Sequence, residues 1–475
     1  MAYAENNRKG PLLAVLFAGV LMGALDISII GPALPAMQSS FAIGERSMTW
    51  LFSIYILFNV IGTPLLAKLS DRFGRRAVFS SAVALFGLGS IAVALAPSFG
   101  FVLAARALQG FGAGGIFPVA SAVVGESFPE EKRGSVLGLI GAVWGIAFII
   151  GPILGMIILS VASWQWLFLI NIPVAILVLA FGWKLLPSLR HSGTKPLDWA
   201  GLALTAAFLA SLTLALSGID TRDALRSLVG PRVLPFVLAA LVLALPLWLV
   251  ERRAADPVIR LSLFSRLQLR LAYALSVGAG FGEAILVFVP SLGLAALGGY
   301  GITRGNSSLL LFPVVIAMAL GSPLIGRLVD KIGPRPVIIA GVALLSLGML
   351  LFKLSGPSLP PFIVAGVMVG IGLSGLLGAP VRYLTLSETS DIERSSAQAL
   401  ISLFASLGQL IAAALTGAIV ESTLARSGQG ATAALSRAQA YGNAFLLIAV
   451  LGFPLLAAAF MVRKGRRRLA GNEGF

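Results

Sequence analysis

Three charged side chains lie deep inside long apolar stretches of this sequence, where a charge is costly. Asp26 stands in GALDISIIGPALP, Arg106 in AARALQGFGAGG and Glu283 in GFGEAILVF. A charged residue at the centre of a bilayer costs about 3 kcal/mol or more, so such residues are expected to have functional roles. Burial favours the protonated form of a carboxyl group, whereas a neighbouring arginine favours the charged form. These residue types therefore predict a proton switch.

Each of the three residues has a predicted role and a structural alternative. We expect Asp26 to be the main proton acceptor, Arg106 to tune its proton affinity, and Glu283 to bind a cation or a second proton. Because buried charges are usually paired, Asp26 could instead be only the ion-pair partner of Arg106. Glu283 could be a gate or a hydrogen-bonded structural acid. The sequence leaves these alternatives open.

The composition excludes a soluble protein and most classes of enzyme. Of 475 residues, 58% are hydrophobic and 11% are charged, and the mean hydropathy is +0.96. Soluble domains carry about 25% charged residues. The chain has no cysteine and a single histidine, His191, which leaves little material for thiol chemistry, a metal site or a catalytic triad. We therefore expect no enzymatic activity, no metal and no cofactor.

Long apolar runs bounded by charges or by Gly, Pro and Ser clusters predict an all-α integral membrane protein with fourteen transmembrane helices. The predicted spans are 11–36, 47–69, 77–95, 100–125, 134–160, 164–186, 198–218, 231–251, 268–295, 303–329, 335–355, 359–385, 395–421 and 440–463.

The net charge of +16 is better explained by topology than by nucleic-acid binding. The basic residues fall in short clusters between apolar runs and not along one amphipathic face, so we expect no nucleic-acid partner. Arg106 is the one base placed deep in a span, and most others follow the spans on one side of the membrane. By the positive-inside rule this predicts cytoplasmic N- and C-termini in the plasma membrane. The clusters on that side are Arg8 and Lys9, Lys68–Arg76, Lys132 and Arg133, Lys184–Lys195, Arg252–Arg270, Arg327–Arg335, Arg382 and Arg394, and Arg463–Arg468.

A repeated loop indicates that the two halves of the chain are related. LAKLSDRFGRRAVF follows the second span and IGRLVDKIGPRPVI follows the tenth, with an acid, a base, a glycine and a base at the same offsets. Such repeats are typical of secondary transporters. They divide the chain into an N-terminal six-helix bundle over 1–190, an inserted helix pair over 191–262 and a C-terminal six-helix bundle over 263–475.

Both loop copies contain the residue types of a conformational latch. A carboxylate at a helix end can pair with nearby arginines or cap another helix, and a glycine permits a tight reversal. The predicted latch residues are Asp71, Arg72, Gly74, Arg75, Arg76, Asp330, Lys331, Gly333 and Arg335.

Several motifs together resemble the major facilitator superfamily, and specifically its fourteen-span drug:proton antiporter branch. LDISIIGPALP resembles the first-helix signature of that branch, KLSDRFGRR the loop signature, RALQGFGAGG the fourth-helix motif and GIAFIIGPILG the fifth-helix motif of antiporters. The resemblance implies the major facilitator fold, with two six-helix bundles and two inserted helices. The small residues in these motifs predict close helix packing at Gly110 and Gly114, and a bend or smooth contact at Gly151, Pro152 and Gly155.

The resemblance implies a proton-coupled exporter of amphipathic, hydrophobic or cationic small molecules that works by alternating access. The proton gradient would drive it without a cofactor, and one chain would be the transport unit, so we expect a monomer in the lipid bilayer. A lipid or lipid-like cargo on the same scaffold is the alternative, and a non-transporting sensor or assembly partner is a remote one.

Overall fold

The computed structural model describes residues 2–42, 45–188, 198–219, 224–254, 257–297, 300–302, 307–390, 393–426 and 433–463, and its regular elements there are all helical. The all-α class predicted from the sequence is therefore confirmed. The helices of the first part of the chain are α1 (Ala2–Phe41), α2 (Glu45–Phe73), α3 (Arg75–Ala94), α4 (Phe99–Ser127), α5 (Glu130–Val161), α6 (Trp166–Leu169), α7 (Asn171–Leu185) and α8 (Trp199–Ser217).

The second part of the chain continues with helices of more varied length. They are α9 (Ala224–Leu228), α10 (Leu234–Arg253), α11 (Ser262–Ser265), α12 (Leu267–Ala284), α13 (Val289–Ala296), α14 (Phe312–Ile332), α15 (Pro334–Leu354), α16 (Leu359–Leu377), α17 (Ala379–Ser387), α18 (Arg394–Arg426) and α19 (Ala433–Met461). Short 3₁₀ segments cover Ile285–Phe288 and Ser307–Leu311.

Local sequence explains several helix ends. Gly74 separates α2 from α3 and Gly333 separates α14 from α15, with φ of 93° and 81°, a region that glycine adopts without strain. Ser98 caps α4, since its hydroxyl accepts the N–H of Phe101, and Asp198 caps α8 through the N–H of Gly201. The same glycine turn thus recurs in both loop copies.

Twelve helical segments of the described chain are long and apolar enough to cross a membrane. The predicted spans 268–295 and 395–421 are the two that do not meet that test. The first is divided into α12, the 3₁₀ segment Ile285–Phe288 and α13, and the second, α18, contributes a shorter apolar helix over Ser396–Ala412. The count of fourteen spans remains a prediction.

Two large hydrophobic cores organise the helices. One is formed mainly by α1 to α5 and α7, and the other mainly by α12 to α19. Helices α8 and α10 pack on each other, and α8 also contacts α2 and α18. One face of α10 is strongly exposed at Leu241, Val242 and Leu245, as expected for a helix surface that meets lipid. The boundaries 1–190, 191–262 and 263–475 remain predictions.

The two cores meet most closely where α5 crosses α14, and again where α2 contacts α18. A Cβ atom on Gly138 would overlap the carbonyl oxygen of Ser322, and one on Gly326 would overlap that of Gly134. Glycine therefore permits backbone contact between α5 and α14. This contact lies towards the end of the molecule that carries the two loop copies, Asp71–Arg76 and Asp330–Arg335, which we call the loop end.

Candidate functional site

Asp26 lies in a fully buried polar network inside the first core. Its Oδ2 accepts a hydrogen bond from Arg106 Nη1 at 2.5 Å, and its Oδ1 accepts one from Gln109 Nε2 at 2.7 Å. The amide of Asn171 lies 3.4 Å from Oδ1, and Ser90 Oγ accepts from both Gln109 and Asn171 at 2.8 and 3.2 Å. Four helices, α1, α3, α4 and α7, therefore contribute side chains to one network around this carboxylate.

Arg106 also makes several contacts besides its ion pair with Asp26. Its Nη1 also donates to Gln109 Oε1 at 2.7 Å, and its Nε donates to the carbonyl oxygen of Leu51 at 3.3 Å. The guanidinium carbon stands 4.2 Å from the centre of the Tyr55 ring, a favourable cation–π arrangement. Arg106 thus connects α4 to α1 and α2 by direct contacts, and the structural alternative for Asp26, an ion pair, is present in this conformation.

Glu283 lies in a different environment in the second core, near the end of α12. Its side chain is partly exposed, and its Oε2 accepts a hydrogen bond from Gln409 Nε2 of α18 at 2.5 Å. Within the described part of the chain, no lysine or arginine forms an ion pair with it. The two acids therefore differ, because Asp26 is buried beside a cation, whereas Glu283 is partly exposed and faces a neutral amide.

Arg382 corrects the sequence-based assignment of basic residues. We grouped it with Arg394 in a loop, but it lies in α17 and is only 5% exposed. It is therefore a buried base, as are Lys68, Arg75 and Arg106. Its Nη1 donates to Gln398 Oε1 at 3.0 Å and its Nη2 to Ser402 Oγ at 3.1 Å. Hydropathy ends the predicted span 359–385 only three residues after Arg382, so it does not show whether this residue lies inside the helix or in the loop that contains Arg394.

The first loop copy joins the two halves through its acid. Asp71 pairs with Arg75 and its Oδ2 accepts a hydrogen bond from Ser396 Oγ of α18 at 2.8 Å. Arg75 also pairs with Glu126 at 2.7 Å. Arg76 Nε donates to the carbonyl oxygen of Leu186 at 2.8 Å, and the guanidinium of Arg72 stands 5.6 Å from the Phe73 ring.

The second loop copy joins the halves through backbone contacts. Asp330 accepts the N–H groups of Gly134 and Ser135 near the start of α5, each at 2.8 Å, and also the Ser135 hydroxyl. Hydrogen bonds to an ionised carboxylate are stronger than those between neutral groups. Lys331 is exposed and Arg335 is partly exposed. The two acids therefore use different partners, yet each connects one half to the other.

The glycine motifs lie at close helix contacts. A Cβ on Gly110 would overlap the carbonyl oxygen of Tyr55, one on Gly114 that of Asn59, and one on Gly151 the hydroxyl of Ser28. Gly155 is buried, and α5 continues as a helix through Pro152, whose side chain lies outside the described residues.

Sequence reasoning missed the neutral members of the buried network, Gln109, Asn171 and Ser90. A usable signal was present for Gln109, because a residue three positions after Arg106 lies on the same helix face. Asn171 and Ser90 come from other helices, so only the fold brings them together. Among the described residues, no cluster of three acids or histidines could hold a metal ion.

Comparisons with known proteins agree with this architecture. The family model described as Major Facilitator Superfamily matches residues 16–299 and 271–474. The uncharacterized MFS-type transporter YfiU of Bacillus subtilis is 33% identical over 419 residues, covering 87% of this chain and 80% of its own. Multidrug transporter protein MdtP of the same organism is 30% identical, covering 89% and 77%. Multidrug resistance protein Stp of Mycobacterium tuberculosis is 31% identical, covering 86% and 75%.

A solved structure supports the fold independently of close sequence similarity. The human organic anion transporter MFSD10 superposes with a TM-score of 0.68 at 18% identity, covering 94% of this chain and 99% of that one. Family match, relatives and fold agree on a carrier and not an enzyme. This chain belongs to the Major Facilitator Superfamily of integral membrane transporters.

Proposed function

We propose that this protein is a proton-coupled exporter of amphipathic small molecules, and that it recognises a cationic group on them. It would span the plasma membrane fourteen times with both termini in the cytoplasm, as two six-helix bundles with an inserted pair. The names of the relatives MdtP and Stp, a multidrug transporter and a multidrug resistance protein, support drug export. The two acids inside the predicted spans, Asp26 and Glu283, support coupling to protons.

The contacts of Glu283 are the observation that carries the proposal. This carboxyl group is partly exposed and hydrogen-bonded to the neutral amide of Gln409. A carboxyl group can accept that hydrogen bond whether it is protonated or ionised. Glu283 can therefore hold either a proton or a cation in the same position. Because it cannot hold both, binding of one would release the other, and export would be coupled to proton entry.

Asp26 has a second role in this proposal. Its ion pair with Arg106 is complete in the present conformation. Protonation of Asp26 would weaken its hold on Arg106, which contacts Leu51 and Tyr55 of α2. The ion pair would thus connect proton binding to movements of α1, α2 and α4. This retains Asp26 as a proton acceptor and makes Arg106 the group that opposes protonation.

Alternating access would use the contacts at the loop end. In this conformation Asp71 and Asp330 connect the halves to each other through Ser396 and through the start of α5. Breaking these contacts would open the loop end, which the positive-inside rule assigns to the cytoplasm. The cargo would enter there and leave on the other side after the contacts form again.

Transport into liposomes tests the proposal. Purified protein would be reconstituted with an imposed proton gradient, and movement of the fluorescent cation dansylcadaverine would be recorded together with lumenal pH. We expect cation movement against the proton flow by the wild type and loss of coupling in Glu283→Gln and Asp26→Asn. Glu251→Gln is the matched control, because Glu251 is a buried glutamate that contacts Thr205 and the N–H of Ile259 in another part of the fold.

Two results would contradict the proposal. Cation movement that leaves the lumenal pH unchanged would exclude proton coupling. Movement of a labelled lipid between leaflets, with no movement of dansylcadaverine, would exclude the cationic cargo and favour a lipid.

A further inference from the structure

Arg382 differs from the other deeply buried arginines in having no carboxylate partner. In the described part of the chain, three arginines are less than a tenth exposed. Arg75 pairs with Asp71 and Glu126, and Arg106 pairs with Asp26. None of the described acids forms an ion pair with Arg382. A buried cation without a counter-ion is costly, so its presence calls for a function.

The surroundings of Arg382 are polar but neutral. Its guanidinium donates to Gln398 and Ser402 of α18 and lies 3.5 Å from Ser121 Oγ of α4. Its Nε is buried and has no hydrogen-bond partner. The guanidinium carbon stands 4.0 Å from the ring centre of Phe117. One N–H group of this buried guanidinium therefore remains without a partner in the pocket that Phe117, Ser121, Gln398 and Ser402 form around it.

The pocket of Arg382 and the site of Glu283 are connected by one helix face. Gln398, Ser402 and Gln409 are all in α18, at spacings of four and seven residues. At 3.6 residues per turn these side chains lie on the same face. Ser402 and Gln398 precede Gln409 by seven and eleven residues, so the cation of Arg382 and the acid of Glu283 contact the same face at points about 10 to 16 Å apart along the helix.

The position between the halves gives the pocket a route to solvent. Arg382 belongs to α17, whereas Ser121 and Phe117 belong to α4. The pocket therefore has one wall from each half. Separation of the halves at the loop end would remove the α4 wall and expose the guanidinium to the cytoplasmic side.

We propose that Arg382, with Gln398, Ser402 and Ser121, forms a binding subsite for an anionic group of the cargo. The group would be a carboxylate, sulfonate or phosphate. This inference rests on the proposed export function and extends its substrates to zwitterionic amphiphiles, whose cationic group binds Glu283 and whose acidic group binds Arg382. The anionic group could come from a soluble molecule or from a lipid headgroup.

Two fluorescent probes of similar size and opposite charge test the subsite. Dansylcadaverine carries an amine, and 6-(dansylamino)hexanoic acid carries a carboxylate at the end of a similar chain. Binding of each to the purified full-length protein would be measured by dansyl fluorescence. We expect Arg382→Gln to weaken binding of the acid by about tenfold or more, the loss of a charge-assisted hydrogen bond, and to leave the amine unaffected.

Three further variants complete the test. Gln398→Glu leaves Arg382 in place but puts a carboxylate beside it. Because this carboxylate would pair with the guanidinium, we expect the same loss of dansyl acid binding as in Arg382→Gln. Arg382→Lys keeps the charge and is expected to retain most of the binding. Arg266→Gln is the matched control, because Arg266 already pairs with Glu393 at 3.2 Å and should not contribute. The thermal unfolding temperature of Arg382→Gln should be no lower than that of the wild type, because the substitution removes a buried charge that has no counter-ion.

The outcomes separate this inference from the proposed function. Unchanged acid binding in both Arg382→Gln and Gln398→Glu would overturn the subsite, whatever Glu283→Gln does to the amine. A lower unfolding temperature in Arg382→Gln with unchanged acid binding would make Arg382 structural and overturn it as well. Movement of fluorescent phosphatidylglycerol between leaflets that depends on Arg382 would support the subsite and show that a lipid headgroup supplies the anionic group. Transport of the dansyl acid alone that depends on Arg382 would support the subsite and show that a soluble molecule supplies it.

Discussion

At the scale of single residues, the buried ion pair of Asp26 and Arg106 makes a prediction about stability. Arg106→Gln would leave the carboxylate in a fully buried site without its cation, which costs about 3–5 kcal/mol. The double variant Asp26→Asn, Arg106→Gln removes both charges and should regain most of that loss. Thermal unfolding followed by tryptophan fluorescence in detergent measures both. Equal stability of Arg106→Gln and the wild type would contradict the account.

The sequence could identify the charged residues of the site but not their contacts. Asp26, Arg106 and Glu283 are conspicuous because a charge inside an apolar run is rare. Neutral polar residues such as Asn171 are common in membrane helices, and contacts between helices cannot be read from one chain. Arg382 shows a related difficulty, because it falls three residues before the end of the predicted span 359–385 and hydropathy does not distinguish a buried helix end from a connector.

At the scale of elements, the contact of Asp330 with α5 predicts a shift in conformation. Asp330→Asn keeps the size of the side chain but removes the charge that strengthens its hydrogen bonds to the N–H groups of Gly134 and Ser135. We expect the population of the conformation that is open at the loop end to rise about tenfold, which corresponds to a free-energy change of about 1.4 kcal/mol.

Spin labels at Lys132→Cys of α5 and Leu328→Cys of α14 would report that population as a distance distribution, and the chain has no native cysteine to interfere. Asp198→Asn is the control, because Asp198 caps α8 by accepting the N–H of Gly201, a contact that does not connect the two halves. A distribution for Asp330→Asn that matches this control would show that Asp330 is not part of a latch.

The crossing of α5 and α14 predicts different effects of one substitution at two nearby positions. An alanine Cβ at Gly138 would overlap the carbonyl oxygen of Ser322, whereas one at Gly141 would have its nearest neighbour 3.4 Å away at Gly378. We expect Gly138→Ala to cost about 1–3 kcal/mol by overpacking and to widen the spin-label distance, and Gly141→Ala to change neither. Similar behaviour of the two variants would contradict the observed crossing.

Apolar length predicted where helices occur but not where they break. The predicted span 359–385 is divided at Gly378 into α16 and α17, and span 268–295 is divided by a 3₁₀ segment. Pro380 and Pro290 each stand at the start of the second helix, where a missing N–H is tolerated. Yet Pro64 and Pro118 lie inside unbroken helices. Proline alone therefore does not locate a break, because packing by neighbouring helices decides whether the chain continues.

At the scale of the whole molecule, the fourteen-span topology predicts the side of the membrane on which each loop lies. Single cysteines at Ser192, Thr221, Asp256, Tyr300 and Ser427 can be tested with a maleimide that does not cross membranes. We expect labelling from outside at Thr221, Tyr300 and Ser427, and labelling only after permeabilisation at Ser192 and Asp256. If Asp256 and Tyr300 label from the same side, the chain over 268–295 does not span the bilayer.

The central claim, that one carboxyl group exchanges a proton for a cation, is tested most directly by proton release on binding. Dansylcadaverine would be added to purified protein in weakly buffered detergent solution containing a pH indicator. We predict proton release by the wild type and by Glu251→Gln, and none by Glu283→Gln, whose side chain keeps its neutral contact with Gln409 but has no proton to exchange. Equal proton release by Glu283→Gln and the wild type would contradict the account and direct the search to Asp26.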